Sequence, residues 1–358
     1  MEKININELT FEELEKFIEE LGEKKFHARQ IFKWIHREKV LDFDQMTDIS
    51  KALREKLRER TYILELKVLE CQVSKKDGTM KFLIELPDHN AIESVLMKYN
   101  HGNTICVSSQ VGCKMGCKFC ASTKEGFVRS LLASEIEGQL LTVERYSGEK
   151  ISNIVYMGIG EPLDNYDNVI KSIRQINYPL GLNIGARHIS LSTCGLVPNI
   201  YRLAEENIQC TLSISLHATT DKKRRETMPI ANKYTIKEIL DACKEYIRLT
   251  GRRISFEYAL IYGQNDSRED ALALAKLLRG MIAHVNLIPV NEIKNGIYKK
   301  APEKNIENFM NTLNSCGVVT TVRRELGSDI DAACGQLRKK YIDKTDQFEG
   351  KKYTKSEE

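Results

Sequence analysis

Three regimes of hydrophobic patterning divide the chain. From residue 1 to about 60, apolar positions recur at three- and four-residue spacing, as in TFEELEKFIEEL (Thr10–Leu21) and ISKALREKLRER (Ile49–Arg60). That period puts the apolar side chains on one face of a helix. Between them, EKKFHARQIFKWIHREKV (Glu23–Val40) predicts another amphipathic helix, with a face of basic and aromatic residues. Residues 61–99 change to short alternating runs around the turn signal Lys76-Asp77-Gly78, which predicts a small β-meander. From about residue 100, apolar runs alternate with helical patterns. The strand candidates are TICVSSQ, NIVYMGIGE, HISLSTCG, CTLSISLHA, RISFEYALIYG, HVNLIPVN and VVTTVRREL. Such alternation builds a parallel α/β sheet, either doubly wound or curled towards a barrel. The regular pattern runs to about residue 345, and residues 346–358 form a charged tail.

In α/β barrels the chemistry gathers where the strands end. Unusual polar and glycine residues recur at those places: Gly158, Gly160 and Glu161, then Ser192 and Thr193, then Ser215 and His217, then Asn291. GIGEP lacks the third glycine of a dinucleotide fingerprint, which argues against a Rossmann site.

Composition narrows the class. No apolar run reaches the ~18 residues of a membrane span, and the first residues are charged throughout, unlike a signal peptide. A cytoplasmic protein is the expectation. The formal net charge of +4 permits a nucleic-acid partner without requiring one. Basic stretches at DKKRRETMPIANKY (Asp221–Tyr234), Arg252–Arg253 and Arg323–Arg324 are candidates to guide an RNA strand at the barrel mouth.

Ten cysteines in a long chain of this kind point to metal or redox chemistry more than to a disulfide framework. CKMGCKFC places Cys113, Cys117 and Cys120 as C-x3-C-x2-C. Three thiols around a [4Fe–4S] cluster leave one iron open, where a ligand can bind. A zinc site with Cys106 as fourth ligand is the alternative, and it would make this a zinc-stabilised RNA-binding protein. Cys71, Cys194, Cys210, Cys243 and Cys316 read as packing residues. Cys334, in SDIDAACGQL, stands alone between small residues.

The triplet, following a strand and leading into a β/α array, resembles the radical S-adenosylmethionine (SAM) superfamily, whose aromatic position is matched by Phe119. CVSSQVGCKMGCKFCAST, YMGIGEPLDN, HISLSTCGLVP, SISLHA, MPIANKY, HVNLIPVN and GSDIDAACGQL stand in the order found in the RlmN/Cfr group of RNA adenosine methyltransferases. The N-terminal FHARQIFKWIH extends the resemblance over most of the chain. GEPL resembles the RlmN branch, which methylates C2 of adenosine in 23S rRNA and tRNA. The Cfr branch, the alternative, acts on C8 and usually carries alanine where Pro162 stands. Ala231 departs from the commoner asparagine of that motif.

The resemblance implies a partial (β/α)6 barrel at residues 100–345, an RNA-contacting helical accessory domain at 1–60 and a meander extension at 61–99. It implies that Cys113, Cys117 and Cys120 ligate one [4Fe–4S] cluster. It implies SAM contacts from Gly160, Glu161, Ser192, Ser215, Leu216, His217 and Asn291. Cys334 would take a methyl group from one SAM and lose a hydrogen from it to a 5′-deoxyadenosyl radical made from a second. The carbon would then join the adenine, Glu93 would remove the C2 proton, and Cys106 would break the protein–RNA link by forming a disulfide. A reducing donor such as flavodoxin or ferredoxin is implied, with the enzyme acting as a monomer.

Overall fold

The computed structural model describes residues 3–123, 126–290, 298–330 and 337–338. The N-terminal unit holds β1 (Ile4–Asn5), α1 (Phe11–Glu20), α2 (Phe26–His36), α3 (Lys51–Arg60) and β2 (Thr61–Tyr62), and β2 pairs in parallel with β1. Its first helix starts where the sequence supplies a capping box: Thr10 accepts from the Glu13 N–H, and the Glu13 carboxylate accepts from the Thr10 N–H. Ile6, Leu14, Ile18, Ile31, Phe32 and Leu53 meet in a core of the unit's own.

The predicted meander is β3 (Lys67–Val73), β4 (Met80–Glu85) and β5 (Ala91–Met97), all antiparallel. It is continuous with the barrel sheet, because β5 pairs with β6 (Asn103–Cys106). A hairpin of β7 (Gln110–Gly112) and β8 (Phe127–Ser130), which the hydrophobic pattern did not predict, then frames the cysteine loop. After α4 (Ala133–Ser147) the alternation is regular: β9 (Ile151–Tyr156), α5 (Tyr166–Asn177), β10 (Ile189–Thr193), α6 (Val197–Glu205), β11 (Thr211–Ser215), α7 (Asp221–Thr227), α8 (Ile236–Thr250), β12 (Ile254–Leu260), α9 (Arg268–Leu277), β13 (Ala283–Pro289), α10 (Glu303–Ser315) and β14 (Val319–Val322).

The large sheet runs β14-β13-β12-β11-β10-β9-β6-β5-β4-β3. All neighbours from β6 to β14 are parallel. This is the expected partial (β/α)6 barrel, with β14 as one further parallel strand and the meander extending the opposite edge. Parallel strands covered by helices are buried on both faces, and β12 is buried at all but one position.

The first barrel helix carries an unusual load. Helix α4 is buried from Ala133 to Glu144, because the N-terminal unit covers the side that would otherwise face water. Its polar residues therefore need partners. Ser134 is bonded to Asn5 and Glu8, and the Glu135 carboxylate accepts from Nη1 and Nη2 of Arg129 at 2.7 and 2.8 Å. Glu137 meets His36 Nδ1 at 2.9 Å, with both side chains 1% exposed. His36 therefore faces the barrel and Phe32 the core, and neither belongs to the outward basic face expected of α2. Lys24, Lys25, Phe26, Arg29, Lys33 and Arg37 are exposed on it.

Replacing His36 with alanine leaves Glu137 buried without its partner. The expected cost is about 3 kcal/mol in denaturant unfolding. A loss below ~0.5 kcal/mol, the size of an ordinary surface substitution, would contradict the docking role.

Candidate active site

Two adjoining cavities open at the C-terminal ends of the barrel strands. The larger, about 310 Å³, is lined on one side by Cys113, Cys117, Phe119 and Cys120. Gly160, Glu161, Ser192, Ser215 and His217 complete much of its wall. The volume is at the lower end of the range of small-molecule sites, roughly 300–1,000 Å³. The second, about 250 Å³, holds Glu93, Cys106, Tyr99 and Arg324. Met157, Gly158, Ile288, Pro289 and Arg323 line both.

The wall between them is built by VSSQ and GIGE. Gly158 donates its N–H to Val107 O at 3.0 Å, and a Cβ there would lie 2.6 Å from that oxygen. Gly160 adopts φ +110°, and a Cβ would stand 2.7 Å from Ser109 Oγ. Only glycine meets both demands at this position. The Ser108 hydroxyl donates to Glu93 O at 2.7 Å and accepts the Ile159 N–H at 3.1 Å. Gln139 on α4 fixes the same serine, accepting its N–H and donating to its carbonyl.

Glu161 is buried, and its carboxylate accepts the N–H of Cys194 at 2.8 Å and of Leu163 at 3.1 Å. Burial pushes its pKa up, against those hydrogen bonds. His217 sits at φ +56°, its carbonyl held by Asn265 Nδ2. Burial, with Arg224 in support, lowers its pKa to about 3, so the ring is neutral at physiological pH. Its Nδ1 accepts the Ala259 N–H at 2.9 Å, which leaves the proton on Nε2. Leu216 is placed differently from its expected role: its side chain lies in the core, its N–H donates to Glu257 O and its carbonyl accepts from Arg224. Asn291 and Cys334 lie outside the described residues.

The thiols of the triplet suit a cationic centre. Burial pushes Cys113 up to about 11 and Cys117 up to about 12, and neighbouring thiols push the same way. Bound iron relieves that penalty by stabilising the thiolates. Among the described residues no three Cys, His, Asp or Glu converge tightly enough for a single metal ion. Cys106, the fourth ligand of the zinc alternative, lines the other cavity. The loop therefore fits a cluster held by Cys113, Cys117 and Cys120 better than it fits zinc.

In the second cavity Glu93 is 2% exposed and pairs with the wholly buried Lys81 at 3.0 Å. One of its oxygens accepts the Arg338 N–H at 2.7 Å. On the other side of the segment containing Cys334, Asp329 is held by Ser74 and the Lys75 N–H, at the turn joining β3 to β4. The described residues flanking Cys334 are thus fixed to the meander that carries Glu93. Burial raises the Cys106 thiol, while Arg323, the Met157 N–H and Lys81 favour its thiolate.

Arg323, a candidate for the barrel mouth, lines both cavities, whereas Glu257 in the wall of the larger one has no sequence signal. Cys194 packs with Cys117 and Met228, as expected, and also lines the larger cavity. Cys194 follows β10 directly, so the strand-end rule that found Ser192 covers it too. Cys316 is exposed, not packed. Arg252 and Arg253 precede β12 and so lie at the end of the barrel away from the site, where Arg252 bonds Thr211 at the start of β11. Arg224 is buried, leaving Lys222 and Arg225 exposed on α7.

Comparison with known proteins agrees with this geometry. Residues 4–63 match the ribosomal RNA large subunit methyltransferase N-terminal domain, and residues 107–275 match the radical SAM superfamily. A Clostridium perfringens protein named "Probable dual-specificity RNA methyltransferase RlmN" is 59% identical over 94% of this chain and 97% of its own length. A Clostridium novyi protein of the same name is 56% identical over 94% of this chain and 98% of its own. The chain belongs to the RlmN family. The crystal structure of a radical SAM methyltransferase from Sphaerobacter thermophilus superposes with a TM-score of 0.88, at 42% identity, over 93% of this chain and 98% of that one. Family membership brings SAM and a [4Fe–4S] cluster as cofactors.

Gly160→Ala is expected to weaken SAM binding at least ~10-fold, since the added methyl needs both a new backbone conformation and a displaced Ser109. Equilibrium dialysis checks this, with circular dichroism to show the fold retained. Wild-type affinity in a folded variant would contradict the assigned position of SAM.

Proposed function

We propose that this chain is a radical SAM RNA methyltransferase that places a methyl group on C2 of adenosine in 23S rRNA and tRNA. One observation carries the reading: a cavity lined by the cysteine triplet and the SAM-motif residues shares its wall with a cavity holding a buried carboxylate and a second thiol.

C2 of adenine lies between two ring nitrogens and is too electron-poor to attack a methyl group as a nucleophile. The cluster and SAM, bound in the larger cavity, supply radical chemistry that reaches such a carbon; the protein supplies position and electrostatics. Gly160, Glu161, Ser192, Ser215 and His217 hold SAM beside Cys113, Cys117 and Cys120, and Asn291 completes the set. The target adenine enters the second cavity unstacked from its neighbours.

There the chain's own residues act in order. Cys334 presents its methyl carbon, which gives up one hydrogen atom to the radical that SAM and the cluster would supply and then becomes bonded to C2. Glu93, oriented by Lys81 and the Arg338 N–H, takes the C2 proton, and the odd electron left on the adduct is one that the cluster would take back. The Cys106 thiolate attacks the Cys334 sulfur, forming an S–S bond. The electron pair of the broken S–C bond passes to the carbon, which takes a proton and becomes the methyl group. Exposed Lys24 and Lys25 just before α2, and Arg29 and Lys33 on it, offer phosphate contacts in the N-terminal accessory unit. Among the described residues no helix is long and apolar enough to cross a membrane, and we assign a cytoplasmic monomer served by a flavodoxin- or ferredoxin-type donor.

Cys106→Ala is expected to stop the cycle after carbon–carbon bond formation. The variant should purify with RNA attached through Cys334, seen as a nuclease-sensitive mass increment in denaturing gels and on the Cys334 peptide. Wild-type turnover by this variant, with no RNA attached, would contradict the resolving role.

A further inference from the structure

Arg224 on α7 heads the wholly buried side chains by size. Among the described residues no carboxylate forms a salt bridge with it. Its Nε donates to Leu216 O at 3.1 Å, and its Nη2 donates to Cys194 O at 2.6 Å and Ser215 O at 3.2 Å. The remaining nitrogen, Nη1, is buried without a hydrogen-bond partner. A guanidinium enclosed in this way, hydrogen-bonded only to neutral carbonyls, lacks the paired anion that ordinarily accompanies a buried cation; Asp221 on its own helix acts on it without forming an ion pair.

The missing charge lies on the side of the cysteine triplet. The segment carrying Arg224 is bonded to the cysteine loop, since Lys118 donates its N–H to Thr227 O at 2.9 Å. Met228, directly after α7, packs with Cys117 and Cys194 in one small cluster. As thiolates, those two would act on Arg224 more strongly than Asp221, the carboxylate on its own helix. A cluster held by thiolates is anionic, and each electron it accepts adds negative charge. A fixed cation and an N–H donor near its sulfurs both favour the reduced form.

We propose that Arg224 is the counter-cation of the iron–sulfur cluster: its guanidinium raises the cluster's reduction potential through charge and through the free Nη1–H, while Nε and Nη2 lock the ends of β10 and β11 that carry the SAM contacts. The inference rests on the cluster reading of Cys113, Cys117 and Cys120. Arg224 is a positioning and tuning residue and need not touch SAM or RNA. In the step concerned the cluster gains one electron, from dithionite in the test below, and no bond forms or breaks.

The experiment is a redox titration of anaerobically reconstituted full-length protein, without SAM, followed by electron paramagnetic resonance. Wild type, Arg224→Lys and Arg224→Gln are compared, each with its iron content and circular dichroism. A wild type that binds no iron would refute the cluster reading itself, separately from the role of Arg224. With iron present, Arg224→Gln should titrate at a more negative potential than wild type, and Arg224→Lys, which keeps the charge, should lie between them. A fully loaded Arg224→Gln with the wild-type potential overturns the proposal. If Arg224→Gln fails to retain iron, Arg224→Lys decides. Retention of the cluster by Arg224→Lys supports the counter-charge, and loss from both variants with the fold intact overturns it, because the carbonyl bonds alone would then hold the site.

Discussion

The hydroxyl of Ser108 joins the two halves of this active site. It donates to the carbonyl of Glu93 and accepts the N–H of Ile159, so the strand carrying the candidate base and the turn carrying Gly160 and Glu161 are held through one buried oxygen. Both bonds lie away from solvent, where a lost partner is costly. Gln139 keeps the serine backbone in place, and the flat approach of Gly158 to Val107 closes the gap. The chemistry assigned to the site requires a methyl carbon to move from one cavity to the next. A wall that is thin, glycine-lined and rigid suits that transfer.

The same economy governs the larger architecture. A parallel barrel sheet brings strand ends together, but a barrel alone offers no edge on which to place a base opposite the cofactor. The meander supplies it by continuing the sheet past β6, so that Glu93 on β5 stands beside Cys106 at the end of β6. Glu93 and Lys81 lie on neighbouring antiparallel strands, on diagonal positions of one face, where a buried pair can form. Helix α4 then serves both sides. Its Gln139 braces Ser108, and its Glu137 receives His36 from the N-terminal unit. Docking of the accessory unit and shaping of the site thus run through one buried helix.

Much of this was legible in the sequence, for identifiable reasons. Strands and helices of the barrel have periods that differ sharply, and polar residues at strand ends break the apolar runs, so Gly160, Glu161, Ser192, Ser215 and His217 stood out before any geometry. The cysteine spacing marked its own loop. Other features depend on which way a side chain turns, and a local period does not encode that. In DKKRRET several cations adjoin, and only tertiary packing selects Arg224 for burial. His36 lies one helical turn from Phe32, so it shares the inward face even though its type suggested the outward one. Arg252 and Arg253 lie away from the barrel mouth because residues that precede a strand, here β12, belong to the opposite end of the barrel. The hairpin of β7 and β8 is too short to leave a periodic signal.

The account stands or falls on the carbon that receives the methyl group. The direct measurement is nucleoside mass spectrometry of 23S rRNA and tRNA from a strain lacking its own C2 methyltransferase and expressing this chain. The account predicts 2-methyladenosine in both RNAs, absent when Cys334 is replaced by alanine. Appearance of 8-methyladenosine in place of 2-methyladenosine, or of neither, would contradict it.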